Sequence, residues 1–82
     1  MDKQSEINRL KWRSRRGLLE LDLLLVPFLE AKSEALSPPD QADYTRLLEE
    51  EDLDIYDWIQ HRSPTPPEFV GILRLIRQFH GL

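Results

Sequence analysis

The apolar residues of this 82-residue chain recur at steps of three and four, the spacing of helix faces, and alternation is absent. Phe69, Ile72, Leu73, Ile76 and Phe79 form one such stripe, with Arg74 and Arg77 toward the other side and Gly81 ending the segment. Two helix starts share one grammar. Ser37-Pro38-Pro39-Asp40 and Thr65-Pro66-Pro67-Glu68 each place a hydroxyl residue where an N-cap belongs. Prolines then fill the first turn, where a missing N–H costs nothing, and a carboxylate follows three residues after the cap. The pattern predicts a third helix from Pro38 to Glu50, with Tyr44, Leu47 and Leu48 on its apolar face. A short fourth helix is expected with Asp52 as N-cap, Ile55, Tyr56 and Ile59 on one side and Trp58 beside them. The fifth starts from Thr65.

The first half is less regular. A basic helix is expected from Ser5 to about Ser14, carrying Ile7, Leu10 and Trp12. The second helix, Leu18 to Lys32, is apolar nearly all round, which predicts the central and most buried element of the bundle. Pro27 removes one backbone hydrogen bond inside it, so a kink near Leu23 is expected. β-Branched residues are few. The expectation is an all-α fold, a compact five-helix bundle in a single helical domain over residues 1–82.

Composition narrows the function. There are no cysteines, which excludes disulfides, thiolate metal sites and a catalytic thiol. The run from Leu18 to Leu29 is broken by Glu20, Asp22 and Pro27 and is too short and charged to span a bilayer. No signal peptide is visible before it. The expectation is therefore a cytosolic protein, or the mature form of an organellar one. Charge is uneven: residues 1–16 hold six basic and two acidic side chains, the remainder five basic and thirteen acidic. Such a basic arm admits nucleic-acid contact, an acidic partner, or neutralisation of the arm's own domain. Trp12 interleaved with Lys11, Arg13, Arg15 and Arg16 fits base stacking with phosphate contact, but a sequence pI near 5.1 opposes polyanion binding.

Sites of catalysis are not evident. His61 and His80 lack partners at metal-ligand spacing, the acidic run Glu49 to Asp52 lacks the grammar of a calcium loop, and the three glycines lie too far apart to cradle a phosphate. One segment departs from what stability alone selects. Gly17 interrupts Arg15-Arg16 and Leu18, and Glu20 stands four residues after Arg16, so on a helical register the two can pair. That segment reads either as a tight turn with a surface ion pair, or as a docking surface for a polar partner.

Arg16-Gly17-x-x-Glu20, followed by Leu21-Asp22, resembles the R-G-x-x-E signature of the small succinate dehydrogenase assembly factors, also called FAD assembly or flavinylation factors. Pro27-Phe28, and Asp54-Ile55-Tyr56-Asp57-Trp58 before a proline-rich stretch and a last helix, agree with it, so the resemblance spans about Leu10 to Phe79. It implies a five-helix bundle that is not an enzyme. Such a protein binds the flavoprotein subunit of succinate dehydrogenase, and in bacteria that of fumarate reductase, and promotes covalent attachment of FAD to a histidine there. It further implies partner-binding roles for Arg16, Gly17 and Glu20, and for Asp57 and Trp58, which match the second signature. Arg15, Trp12 and Asp22 border the motif and are taken with it as partner-binding. The expectation is a monomer in a bacterial cytoplasm that holds no stable cofactor, inserts in no membrane and binds no nucleic acid. The competing classes are a small nucleic-acid binder using the basic arm and an antitoxin-like interaction module.

Overall fold

The computed structural model describes residues 3–82, the Lys3 side chain excepted. Its order is α1 (Lys3–Arg13), α2 (Leu19–Lys32), α3 (Pro38–Leu47), α4 (Asp52–Ile59), a 3-10 turn (Pro67–Phe69) and α5 (Val70–His80). The expected all-α five-helix bundle is observed, with no strand among the described residues. Residues 1 and 2 of the expected 1–82 domain lie outside the described residues.

Of the two matching helix starts, one behaves as expected. The Ser37 hydroxyl accepts from the Asp40 amide at 3.2 Å, and Pro38 and Pro39 open α3. At the other, the Thr65 hydroxyl accepts instead from Nη2 of Arg77 at 3.1 Å, and α5 begins only at Val70, after the 3-10 turn. Arg77 does not face outward as its place opposite the stripe suggests. Its Nη2 donates to the Trp58 carbonyl at 2.6 Å and its Nε to that of Ile59 at 3.4 Å, satisfying the end of α4. Asp52 is likewise displaced from its expected role: Glu51 occupies the N-cap without a side-chain bond, and Asp52 is the first helical residue, its carboxylate turned to Arg16. The third helix also stops at Leu47, short of Glu50.

α2 packs against α1, α4 and α5 and runs as one helix through Pro27. Pro27 withdraws the helical donor for the Leu23 carbonyl. The neighbouring carbonyl of Leu24 lies 2.7 Å from Nε2 of His80; with its proton on Nε2 the imidazole donates there, tying the end of α5 to the middle of α2. His80 is therefore an anchoring group. The predicted stripe of α5 meets the same core, where Ile72, Leu73 and Ile76 are fully buried with Leu21, Leu25 and Leu29 of α2. Phe28 joins α2 to two other helices, stacking on Tyr44 with centroids 6.1 Å apart and meeting the edge of Phe79 at 5.9 Å.

The Tyr44 hydroxyl is buried and lies 2.6 Å from Oγ of Ser14, which donates to the Leu10 carbonyl at 2.7 Å. Burial pushes the phenol up to about 12, against smaller opposing effects of the Ser14 hydrogen bond and the Arg16 charge. The Cα radius of gyration is 11.8 Å, close to the roughly 12 Å of a well-packed domain of this length. Apolar side chains left in solvent are thus not a symptom of loose packing.

Candidate partner-docking site

The turn between α1 and α2 is built from its backbone outward. Ser14 closes α1 through its amide bond to the Leu10 carbonyl, and the Arg15 amide donates to the Trp12 carbonyl at 3.2 Å. The chain then reverses at Gly17, whose φ of +89° lies where an L side chain is strained. No heavy atom stands within 4 Å of where a Cβ would be at Gly17, so the glycine is needed for its torsion and leaves its outer side open.

Arg16 and Glu20 do not pair. The i, i+4 relation holds only where both residues are helical, and Arg16 precedes the start of α2 at Leu19. The Arg16 side chain, 17% exposed, turns inward across the bundle: Nε donates to Oδ1 of Asp52 at 2.8 Å and Nη2 to the Glu50 carbonyl at 3.1 Å. Its Nη1 reaches the Arg13 carbonyl at 3.3 Å. Asp22 completes the turn from the opposite side, its Oδ1 accepting from the Arg16 amide at 2.7 Å and its Oδ2 from the Gly17 amide at 3.3 Å. Arg16 and Asp22 are therefore engaged within the chain. The Glu20 side chain is exposed and forms no hydrogen bond or ion pair among the described residues.

Near this turn several large apolar side chains are exposed beside the charged ones. Trp12 is 77% exposed in the last turn of α1, Leu19 and Leu23 are 66% and 60% exposed along one side of α2, and Leu53, beside Asp52, is 66% exposed. The second helix is thus not buried all round, contrary to what its composition suggests. Arg15 is exposed at the same turn. The two residues of the second signature are placed differently. Trp58 is 8% exposed and stacks on Phe69 at 5.7 Å between centroids, which makes it part of the core. Asp57 is half-buried, and its carbonyl accepts from the Arg62 amide at 2.8 Å.

Three features escape a reading of the sequence. The clamp from Arg16 to Asp52 joins residues 36 apart, and the only local sign of it is an acidic run that also suits a solvated helix end. The Ser14–Tyr44 bond has no local signal. The exposed leucines of α2 look like core residues until the bundle is assembled.

Chemistry of its own is not apparent in this surface. Among the described residues no group of His, Asp and Glu side chains could hold a metal ion. An open groove of about 660 Å³ between α1 and α3 has Arg9, Arg13, Arg46, Leu10 and Leu36 in its walls, but no glycine loop of the kind that cradles a dinucleotide. None of the described helices is long and apolar enough to cross a membrane.

Comparison with known proteins is consistent across the chain. A family described as flavinator of succinate dehydrogenase matches residues 8–80. The FAD assembly factor SdhE of Pseudomonas putida is 46% identical over 77 residues, covering 93% of this chain and 92% of its own length. That of Pseudomonas aeruginosa is 44% identical over 77 residues, covering 94% and 89%. The namesake in Coxiella burnetii is 39% identical over 71 residues, covering 85% and 87%. These names are those of assembly factors, not of catalysts.

Proposed function

Because the chain belongs to the family of flavinators of succinate dehydrogenase, we propose that it docks on the flavoprotein subunit of that enzyme and promotes covalent FAD attachment there. By the same surface it serves the flavoprotein of fumarate reductase. The observation that carries this reading is the contrast inside the motif. The Arg16 side chain and the amides of the turn find their partners within the chain, while the carboxylate of Glu20 is left to solvent on the same helix that exposes Leu19 and Leu23. A fixed charge in an apolar border suits a protein interface, where a few central groups supply most of the affinity.

In this mechanism Glu20 accepts charge-assisted hydrogen bonds from the partner, and Gly17, bare on its outer side, lets the partner's backbone approach. Arg15 and Trp12 lie at the border of the contact, and Trp58 and Asp57 support α4 beneath it. Binding selects the conformation of the flavoprotein in which its histidine and the flavin are aligned, and the bond-making groups belong to the partner. The chain acts as a monomer in a bacterial cytoplasm, with FAD as the partner's cargo and no stable cofactor of its own.

The test is capture of the tagged chain from a bacterial extract, with in-gel flavin fluorescence of the large subunit recovered. Wild type should bring down a flavoprotein, and its deletion should leave that subunit without covalent flavin. Recovery of nucleic acid, of a small unrelated protein or of no flavoprotein overturns the proposal.

A further inference from the structure

Arg16 stands in the family motif, yet its side chain is committed within the chain. All three guanidinium nitrogens donate to acceptors of the chain itself, namely Asp52 Oδ1, the Glu50 carbonyl and the Arg13 carbonyl. Only 17% of the side chain is exposed. For a partner to take this guanidinium, it would have to strip a charge-assisted bond of 2.8 Å and leave the Asp52 carboxylate, itself two-thirds covered, without its cation. The backbone of Arg16, in contrast, lies directly against the docking surface. Its amide and that of Gly17 are held by the two oxygens of Asp22, one turn along the helix that carries Glu20. One residue therefore ties the α3–α4 junction, through its side chain, to the start of α2, through its main chain.

We propose that Asp52 is a positioning residue for docking: by holding the Arg16 guanidinium it fixes the Gly17 turn and the outward direction of Glu20, and Arg16 acts on the partner through that turn and not by touching it. The inference rests on the docking reading above, and it adds a residue outside the motif. Asp22 is the second half of the same device. With the guanidinium released, the turn loses its anchor to α4, and Glu20 and Leu19 meet the partner from a wider range of orientations.

A double-mutant cycle on affinity for the purified flavoprotein subunit tests this. Arg16→Ala and Asp52→Ala should each weaken binding about tenfold, and the double variant should also lose about tenfold instead of a hundredfold. Glu49→Ala serves as control, because Glu49 is an exposed carboxylate at the same α3–α4 junction that does not meet Arg16; it should bind like wild type. Asp52→Asn keeps the shape and an acceptor, and should restore part of the loss. If a variant melts before the assay temperature, the cycle is run with Arg16→Lys and Asp52→Asn. Multiplying losses, or an Asp52→Ala variant that binds like wild type while Arg16→Ala does not, overturn the proposal and make Arg16 a direct contact. Amide exchange of Gly17 in the free chain gives a second readout that needs no partner. It should accelerate in Asp52→Ala and not in Glu49→Ala; equal exchange in both overturns the clamp. If wild type binds no flavoprotein while the exchange result holds, the docking reading has failed and the clamp has not.

Discussion

The two sides of α2 have similar compositions and opposite fates. Leu21, Leu25, Phe28 and Leu29 recur at helical spacing and are buried against α1, α4 and α5. Leu19 and Leu23 precede Leu21 and Leu25 by two residues, a rotation of about 200° on a helix, so they face away. No described element covers them, and Glu20 flanks them on the helix. What separates the sides is the company each keeps, not hydrophobicity. One side has the rings of Tyr44 and Phe79 against Phe28, and the other has solvent and an unpaired carboxylate. This open apolar side is the one that the proposed docking would cover.

Substitutions on each side should separate stability from docking. The largest stability effect is expected from Leu25→Ala, which empties a fully buried position and should cost about 2–5 kcal/mol in urea unfolding. A loss below about 1 kcal/mol would mean that the inner side is less tightly packed than its burial implies.

Next comes alkaline pH, which probes the Tyr44 ring stacked on that inner side. The phenol ionises near 10 in the unfolded chain and near 12 in the folded one. Below pH 10 both states keep the proton and Tyr44 contributes no pH dependence. Between pH 10 and 12 the unfolded state releases it first, so stability falls by about 1.4 kcal/mol per pH unit. Tyr44→Phe should remove that component of the slope, measured by urea unfolding across the window.

Gly17→Ala should cost about 1–2 kcal/mol, because alanine is strained at a φ of +89° although space is open around it. The same variant should lose flavoprotein binding, and calorimetry beside the binding assay separates the two effects. Smallest for stability are Glu20→Ala and Leu23→Ala, each expected within about 0.5 kcal/mol of wild type. Each should nonetheless weaken docking tenfold or more, as central contacts of an interface do. Unfolding of either variant would place these residues with the inner side and erase the contrast.

The chain's helices were legible wherever their signals were local. The stripe of α5, the proline-led start of α3 and the number of helices follow from spacing and punctuation. What was hidden depended on groups distant in sequence. Ser37 and Thr65 stand in the same grammar, but an arginine on α5 reaches Thr65 and none reaches Ser37, so only Ser37 caps its helix. Likewise, Glu20 lies nearest Arg16 along the chain, yet Asp52 holds the guanidinium because Arg16 is not helical. The motif itself was visible, and the division of labour within it was not. Nothing in its spelling distinguishes an arginine that braces a turn from a glutamate that faces outward.

The bracing of this turn also bears on how quickly an encounter can become a complex. Ordering a flexible residue costs roughly 1–2 kcal/mol, and for the stretch around Gly17 that cost is met when the bundle folds. A partner then meets a finished surface, so this chain adds no slow rearrangement step of its own to association. The expected kinetic signature is a single association phase whose rate rises linearly with flavoprotein concentration.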